Sequence, residues 1–145
     1  MGIQERWKGA KEIKKSSDEV IELLLPIIKK DNRILACYIF GSRVGKRGSP
    51  ASDIDIAVHT STDFTWDDYY LLYGELTKKL KSDRLDLIWL NKAEPVISFE
   101  ILKNGRLLFF RDVDELNELE LRIRKNYYDH VLYLKKHRMA SRYGL

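Results

Sequence analysis

Asp53 and Asp55 stand two residues apart in the stretch Ser52 to His59, where Ile54, Ile56 and Val58 alternate with them. A period of two is that of a β-strand, so both carboxylates emerge on one face and the aliphatic residues on the other. Like charges this close raise each other's pKa unless a cation lies between them. Mg²⁺ takes oxygen ligands, commonly one or two carboxylates completed by substrate phosphates, so the Asp53-Ile54-Asp55 triplet has the composition of half a metal site. Alone the triplet is weak, since a solvated strand face carries the same pattern.

The segment in front of it adds weight. Ala36-Cys37-Tyr38-Ile39-Phe40 reads as a buried strand that delivers Gly41-Ser42 at its end, ten residues before the aspartates. A glycine there lets backbone N–H groups approach a phosphate, and the Ser42 hydroxyl adds a donor. Arg43, Lys46 and Arg47 supply positive charge for further phosphate oxygens. Together these residues would hold a triphosphate and its metal between two neighbouring strand ends.

The elements that must position them follow from periodicity. A helix is expected from about Ser17 to Lys30, where Val20, Leu23, Leu24, Ile27 and Ile28 share a face and Ser16 to Glu19 has the capping-box pattern; Pro26 should kink or shorten it. Ile34 to Phe40 is a strand, and Ser42 to Ser52, with Gly45, Gly48 and Pro50, is a loop. After the Ser52 to His59 strand comes a helix from about Thr65 to Lys81 with Tyr69, Leu72, Tyr73, Leu76 and Leu80 on one face. Arg84 to Leu90 is a third strand. Pro95 and Gly105 bracket a short helix, Arg106 to Phe110 is strand-like, and a long helix runs from about Val113 to Arg138 with the stripe Leu116, Leu119, Ile123, Tyr127, Val131 and Leu134.

Length and composition bound the class. The 145 residues are read as one domain, with a core over about 17–111 and the C-terminal helix over about 113–138. With 44% hydrophobic and 33% charged residues and no apolar run near the ~20 residues that span a bilayer, a soluble cytoplasmic protein with no membrane partner is expected. The N-terminus has no apolar signal region, and the single Cys37 agrees with a reducing compartment. The net charge of +4 is unevenly spread: Arg122 to Leu145 holds seven Arg or Lys against Asp129 alone. Such a tail suits an acidic partner or nucleic acid, or simply a solvated helix end whose cations complement its dipole.

Gly41-Ser42, ten residues, then Asp53-x-Asp55 resembles the signature of DNA polymerase beta-like nucleotidyltransferases, and YIFGSRVGKRGSPASDIDIAV, Tyr38 to Val58, resembles its minimal nucleotidyltransferase branch. The resemblance implies an α/β (α+β) fold, a small mixed sheet flanked by helices with a long C-terminal helix. It also implies a third carboxylate leading an apolar run, which Arg84-Leu85-Asp86-Leu87-Ile88-Trp89-Leu90 supplies as Asp86; the rival Asp83 precedes that run and reads as a turn residue. Ser98 to Asp112 and the final helix with Tyr127-Tyr128-Asp129 resemble the MntA type, antitoxins paired with a small helical HEPN ribonuclease. One departure is Trp89, where related sequences often have a second Asp; it shares a face with Leu85 and Leu87, opposite Asp86.

What the resemblance implies is chemistry by Asp53, Asp55 and Asp86 as catalytic and metal-holding residues, Gly41, Ser42 and Arg43 against the nucleotide, two Mg²⁺ ions, ATP as substrate, and AMP transfer to a tyrosine of a HEPN-family toxin in a hetero-oligomer. The competing readings are transfer to a small molecule or a nucleic-acid end, whose enzymes generally append further domains, and an antitoxin that binds nucleotide without turnover and acts by occlusion. Other leads are weaker. Gly41 to Lys46 has three residues between its glycines and Arg47 after the lysine, so it is not a Walker loop. His59, His130 and His137 lack zinc-spaced partners and Cys37 reads as a small core residue. Trp66, Tyr69 and Tyr70, and Tyr127, Tyr128, Tyr133 and Tyr143, fit helix packing better than base stacking, so direct nucleic-acid binding is not expected.

Overall fold

The computed structural model describes residues 16–41 and 53–142, the last four by backbone only. The chain order is α1 (Ser17–Lys30), β1 (Ile34–Phe40), β2 (Ile54–Thr60), α2 (Trp66–Leu80), β3 (Leu85–Trp89), a 3₁₀ turn (Leu90–Lys92), α3 (Pro95–Asn104), β4 (Arg106–Phe110) and α4 (Val113–Arg142). The four strands form one mixed sheet in the order β3-β2-β1-β4, β1 antiparallel to both β2 and β4, and β2 parallel to β3. The α+β class expected from the sequence is thus the one observed.

Each strand is two-faced, and the faces bury different helices. On one side Cys37, Ile39, Ile54, Ile56, Val58, Leu85, Leu87 and Trp89 pack with Val20, Leu24 and Ile28 of α1 and Leu72, Leu76 and Leu80 of α2. On the other, Ala36, Tyr38 and Ala57 pack with Ile101 of α3 and Leu116, Leu119 and Ile123 of α4. Cys37 is a buried free thiol, its pKa driven up by burial alone.

Local signals and observed ends agree closely, with four departures. α1 runs unbroken through Pro26. Pro26 is exposed, as is Glu22 four residues before it, so the carbonyl that Pro26 leaves without a donor faces water and the helix continues at small cost. The expected box at Ser16 is half made: the Glu19 N–H donates to Ser16 Oγ at 3.3 Å, but the Glu19 carboxylate takes the hydroxyl rather than the backbone. A complete box closes α2 instead, where Asp68 N–H donates to Thr65 Oγ1 and Thr65 N–H to Asp68 Oδ2, and Lys81 ends that helix at φ 58°. Lastly, α4 extends to Arg142, and its packed stripe gives out early: Tyr127 and Val131 are half-buried and Leu134 is exposed.

Candidate active site

β1 ends where β2 and β3 begin, and this edge of the sheet gathers the acidic residues. In the ladder, Phe40 is opposite Asp55 and Asp55 is opposite Asp86. Because β2 and β3 are parallel and in register there, the two carboxyls leave the sheet on the same face, the one that α3 and α4 cover further along. They are close enough to hydrogen-bond each other. Burial first, and then the charge and hydrogen bond of Asp86 and the charge of Asp53, push Asp55 up to about 6. Asp86 and Asp53 are exposed, and Asp55 is half-buried.

Asp53 falls one residue before β2 rather than inside it. Its charge reaches Asp55, yet among the described residues no three acidic, His or Cys side chains already converge tightly enough to close around a metal. The formed unit is the pair Asp55 and Asp86, with Asp53 outside it at the border of the loop. Asp83 lies exposed ahead of β3 and is not opposite Asp55.

Gly41 has a steric role in this pair. Its φ is +89°, a conformation open chiefly to glycine, and a Cβ built on it would fall 1.9 Å from Asp55 Oδ2. The Asp55 carboxyl therefore rests against the bare Cα of the turn. Sequence reasoning assigns Gly41 a phosphate-facing part; the carboxylate contact is an addition, and its signal was a glycine directly after a buried strand. Ser42 and Arg43, with Lys46 and Arg47, lie outside the described residues.

Neighbouring groups on this face are structural. The buried Tyr38 donates its hydroxyl to Glu120 Oε2 at 2.9 Å, tying β1 to α4; burial above all, then that hydrogen bond, raises its pKa. His59, further along β2, is lowered by burial and then by Arg122, and its Nδ1 is buried with no partner among the described residues. Trp89 sits on the opposite face with Leu85 and Leu87, as its position predicts, and donates Nε1–H to Thr60 Oγ1 at 2.8 Å.

A cavity of about 480 Å³ lies elsewhere, beside Arg33, Asp68 and Glu75. Its charges are spent internally: Arg33 bonds Asp31 and Asp68 at 2.9 Å each, and Lys30 pairs with Glu75 at 3.3 Å. It offers a ligand little that is not already taken.

A glycine turn is thus pressed on one of two adjacent carboxyls at the edge of a mixed sheet. Residues 22–114 match the family model described as polymerase beta, nucleotidyltransferase, and the chain belongs to that family. Among solved structures, a toxin–antitoxin MntA-HepT crystal structure is similar at 20% identity and a TM-score of 0.65, covering 86% of this chain and 97% of that one. The complex of a tri-AMPylated Shewanella oneidensis HEPN toxin with its MNT antitoxin gives 20% identity, a TM-score of 0.66 and coverage of 86% and 96%. A toxin–antitoxin structure with AMP-PNP gives 23%, 0.66, 86% and 97%. At these identities the likeness establishes the fold. No curated protein matches the chain. No helix among the described residues is long and apolar enough to cross a membrane.

Proposed function

We propose that this protein transfers AMP from Mg²⁺-ATP to a tyrosine hydroxyl of a HEPN-type partner and so acts as the antitoxin of a two-protein pair in the cytoplasm. The observation that carries the reading is the Asp55–Asp86 pair against Gly41: two neighbouring carboxyls, with Asp55 raised to about 6 by burial and by the charge of Asp86. The donor chemistry fits magnesium, being all oxygen, acidic and open on the solvent side for phosphates and water. Two Mg²⁺ ions held by Asp53, Asp55 and Asp86 would supply charge neutralisation at the attacking and leaving oxygens.

The chain's own residues do the rest. Gly41 and Ser42 present backbone and hydroxyl donors to the triphosphate, and Arg43 adds charge beside it. Asp86 accepts the proton of the acceptor hydroxyl as its oxygen bonds the α-phosphorus; the bond from that phosphorus to the bridging oxygen breaks, and pyrophosphate leaves with the electron pair. The product is an AMP ester of the acceptor. The solved relatives, one an antitoxin bound to an AMPylated HEPN toxin and one holding AMP-PNP, support the acceptor class and the nucleotide.

The test is intact-mass analysis of a HEPN-domain protein co-expressed with this chain. An added AMP mass that disappears with Asp53→Ala is the expected result. A partner of unchanged mass beside the intact protein removes the proposal.

A further inference from the structure

α4 has a second face that the described residues leave largely open. Its body-facing residues Leu116, Leu119 and Ile123 are buried, and the packing ends where Tyr127 stacks on Phe99 of α3 at 3.9 Å and 6°. Leu121 and Leu132 lie elsewhere, 67% and 56% exposed, and Tyr128, which meets Phe99 edge-on at 6.1 Å, is still 57% exposed. At about 100° per residue, Leu121, Tyr128 and Leu132 fall within one strip some 40° wide, well over 90° round the helix from Ile123. The strip is about 16 Å long from Leu121 to Leu132, the footprint of one helix lying across another.

Its margins are basic. Arg124, Lys125, Lys135 and Lys136 border the strip, and Asp129, paired with Lys125 at 3.2 Å, is the last acidic residue of the chain. Lys135 and Lys136 thus have no acidic residue within one turn on their own helix, whereas Arg124 has Glu120 four residues before it. Leucines at both ends of the strip argue for a protein: an RNA would neutralise the lysines and could stack on Tyr128, but would leave Leu121 and Leu132 in water.

We propose that this strip docks a helix of the partner whose own apolar ridge is flanked by Asp and Glu side chains. The inference rests on the reading that the partner is a HEPN-type helical protein, and it assigns the surface that captures it, apart from the carboxylate edge that acts on it.

The experiment titrates the co-expressed, separately purified HEPN-domain protein against wild type, Leu121→Glu/Leu132→Glu and Lys135→Glu/Lys136→Glu by calorimetry. The leucine pair is expected to lower affinity at least about 100-fold and the lysine pair about 10-fold, with a weaker salt dependence. All four positions are exposed, so melting temperatures should stay at the wild-type value and exclude unfolding. Equal affinity of wild type and the leucine variant overturns the strip while the proposed function stands. Wild type that binds no HEPN protein overturns both. A 20-nucleotide single-stranded RNA bound by wild type and lost in the lysine variant, with partner affinity unchanged, assigns the surface to RNA and overturns the inference.

Discussion

Two pairs of carboxylates, one beside the start of β1 and one beside its end, differ in what surrounds them. At the start of β1, Asp31 and Asp68 share the Arg33 guanidinium, which bonds each at 2.9 Å and, by its hydrogen bonds above all, holds Asp31 below the usual carboxylate range. At the other end, burial and the neighbouring Asp86 raise Asp55 to about 6. The first pair is complete within the chain. No described cation is among the groups that shift Asp55, and on the proposed function Mg²⁺ would supply one.

The largest expected difference between the two is in activity. Asp86→Asn keeps the size and a hydrogen-bonding group beside Asp55 but removes the charge and the proton acceptor. AMP incorporation from labelled ATP into the partner should fall about 10³-fold. Asp68→Asn, at the braced end, should leave it within about twofold. Equal losses would erase the distinction.

Gly41→Ala comes next. A methyl group 1.9 Å from Asp55 Oδ2, on a residue at φ +89°, forces either the turn or the carboxyl to move. A displacement near 1 Å in a positioned group costs about 100-fold in rate, read in the same labelling assay. An alanine variant with full activity would show that Asp55 need not lie where the structure has it.

The braced end has its own vulnerable point in Asn91. Its side chain accepts from the Thr60 N–H at 2.9 Å and donates to the Thr60 carbonyl at 2.8 Å, continuing the sheet's hydrogen bonding past the end of β3. Asn91→Ala leaves both groups unpaired beside the buried Thr60 and should cost about 2 kcal/mol in urea denaturation, with transfer per folded molecule unchanged. A loss of activity as large as that of Gly41→Ala would mean that the two ends are coupled.

How much of this was legible depends on the range of the interaction. Strands and helices with strong periodicity appear where the residues put them, β4 to the residue at Arg106–Phe110 and Asp86 rather than Asp83 opposite Asp55. These follow from spacing and from a motif. The unbroken passage of α1 through Pro26 depends on which side of that helix meets water, and the contact of Gly41 with Asp55 depends on two strands meeting, so neither is local. The loss of packing after Tyr127 was also hidden, because α4 keeps its apolar period beyond the edge of the body it packs on: Val131 and Leu134 look like core, yet among the described residues Val131 is only half-covered and Leu134 is exposed.

The smallest effect sets the two pairs against each other by sign. In EDTA, Asp55 in the folded protein holds its proton up to about pH 6, against 3.8 for an ordinary aspartate. Well below pH 3.8 both states are protonated and no penalty exists; as pH rises through 3.8 towards about 6 the unfolded chain ionises first, and stability falls. Asp55→Asn removes that loss, so it should match wild type at about pH 3 and exceed it at pH 7.5 by about 1 kcal/mol, the full shift being discounted because the group is half-exposed. Asp31 runs the other way: its folded pKa is lowered, so its contribution is present above the unfolded value and vanishes in acid, and Asp31→Asn should be the less stable at pH 7.5 and converge with wild type as pH falls. Adding millimolar Mg²⁺ with ATP at pH 7.5 should then raise the wild-type melting temperature and leave Asp55→Asn nearly unmoved, reversing their order, because the cation supplies at one end of the strands what Arg33 already supplies at the other. Wild type indifferent to both additions would mean that the raised carboxyl at Asp55 is a cost with no ligand to offset it.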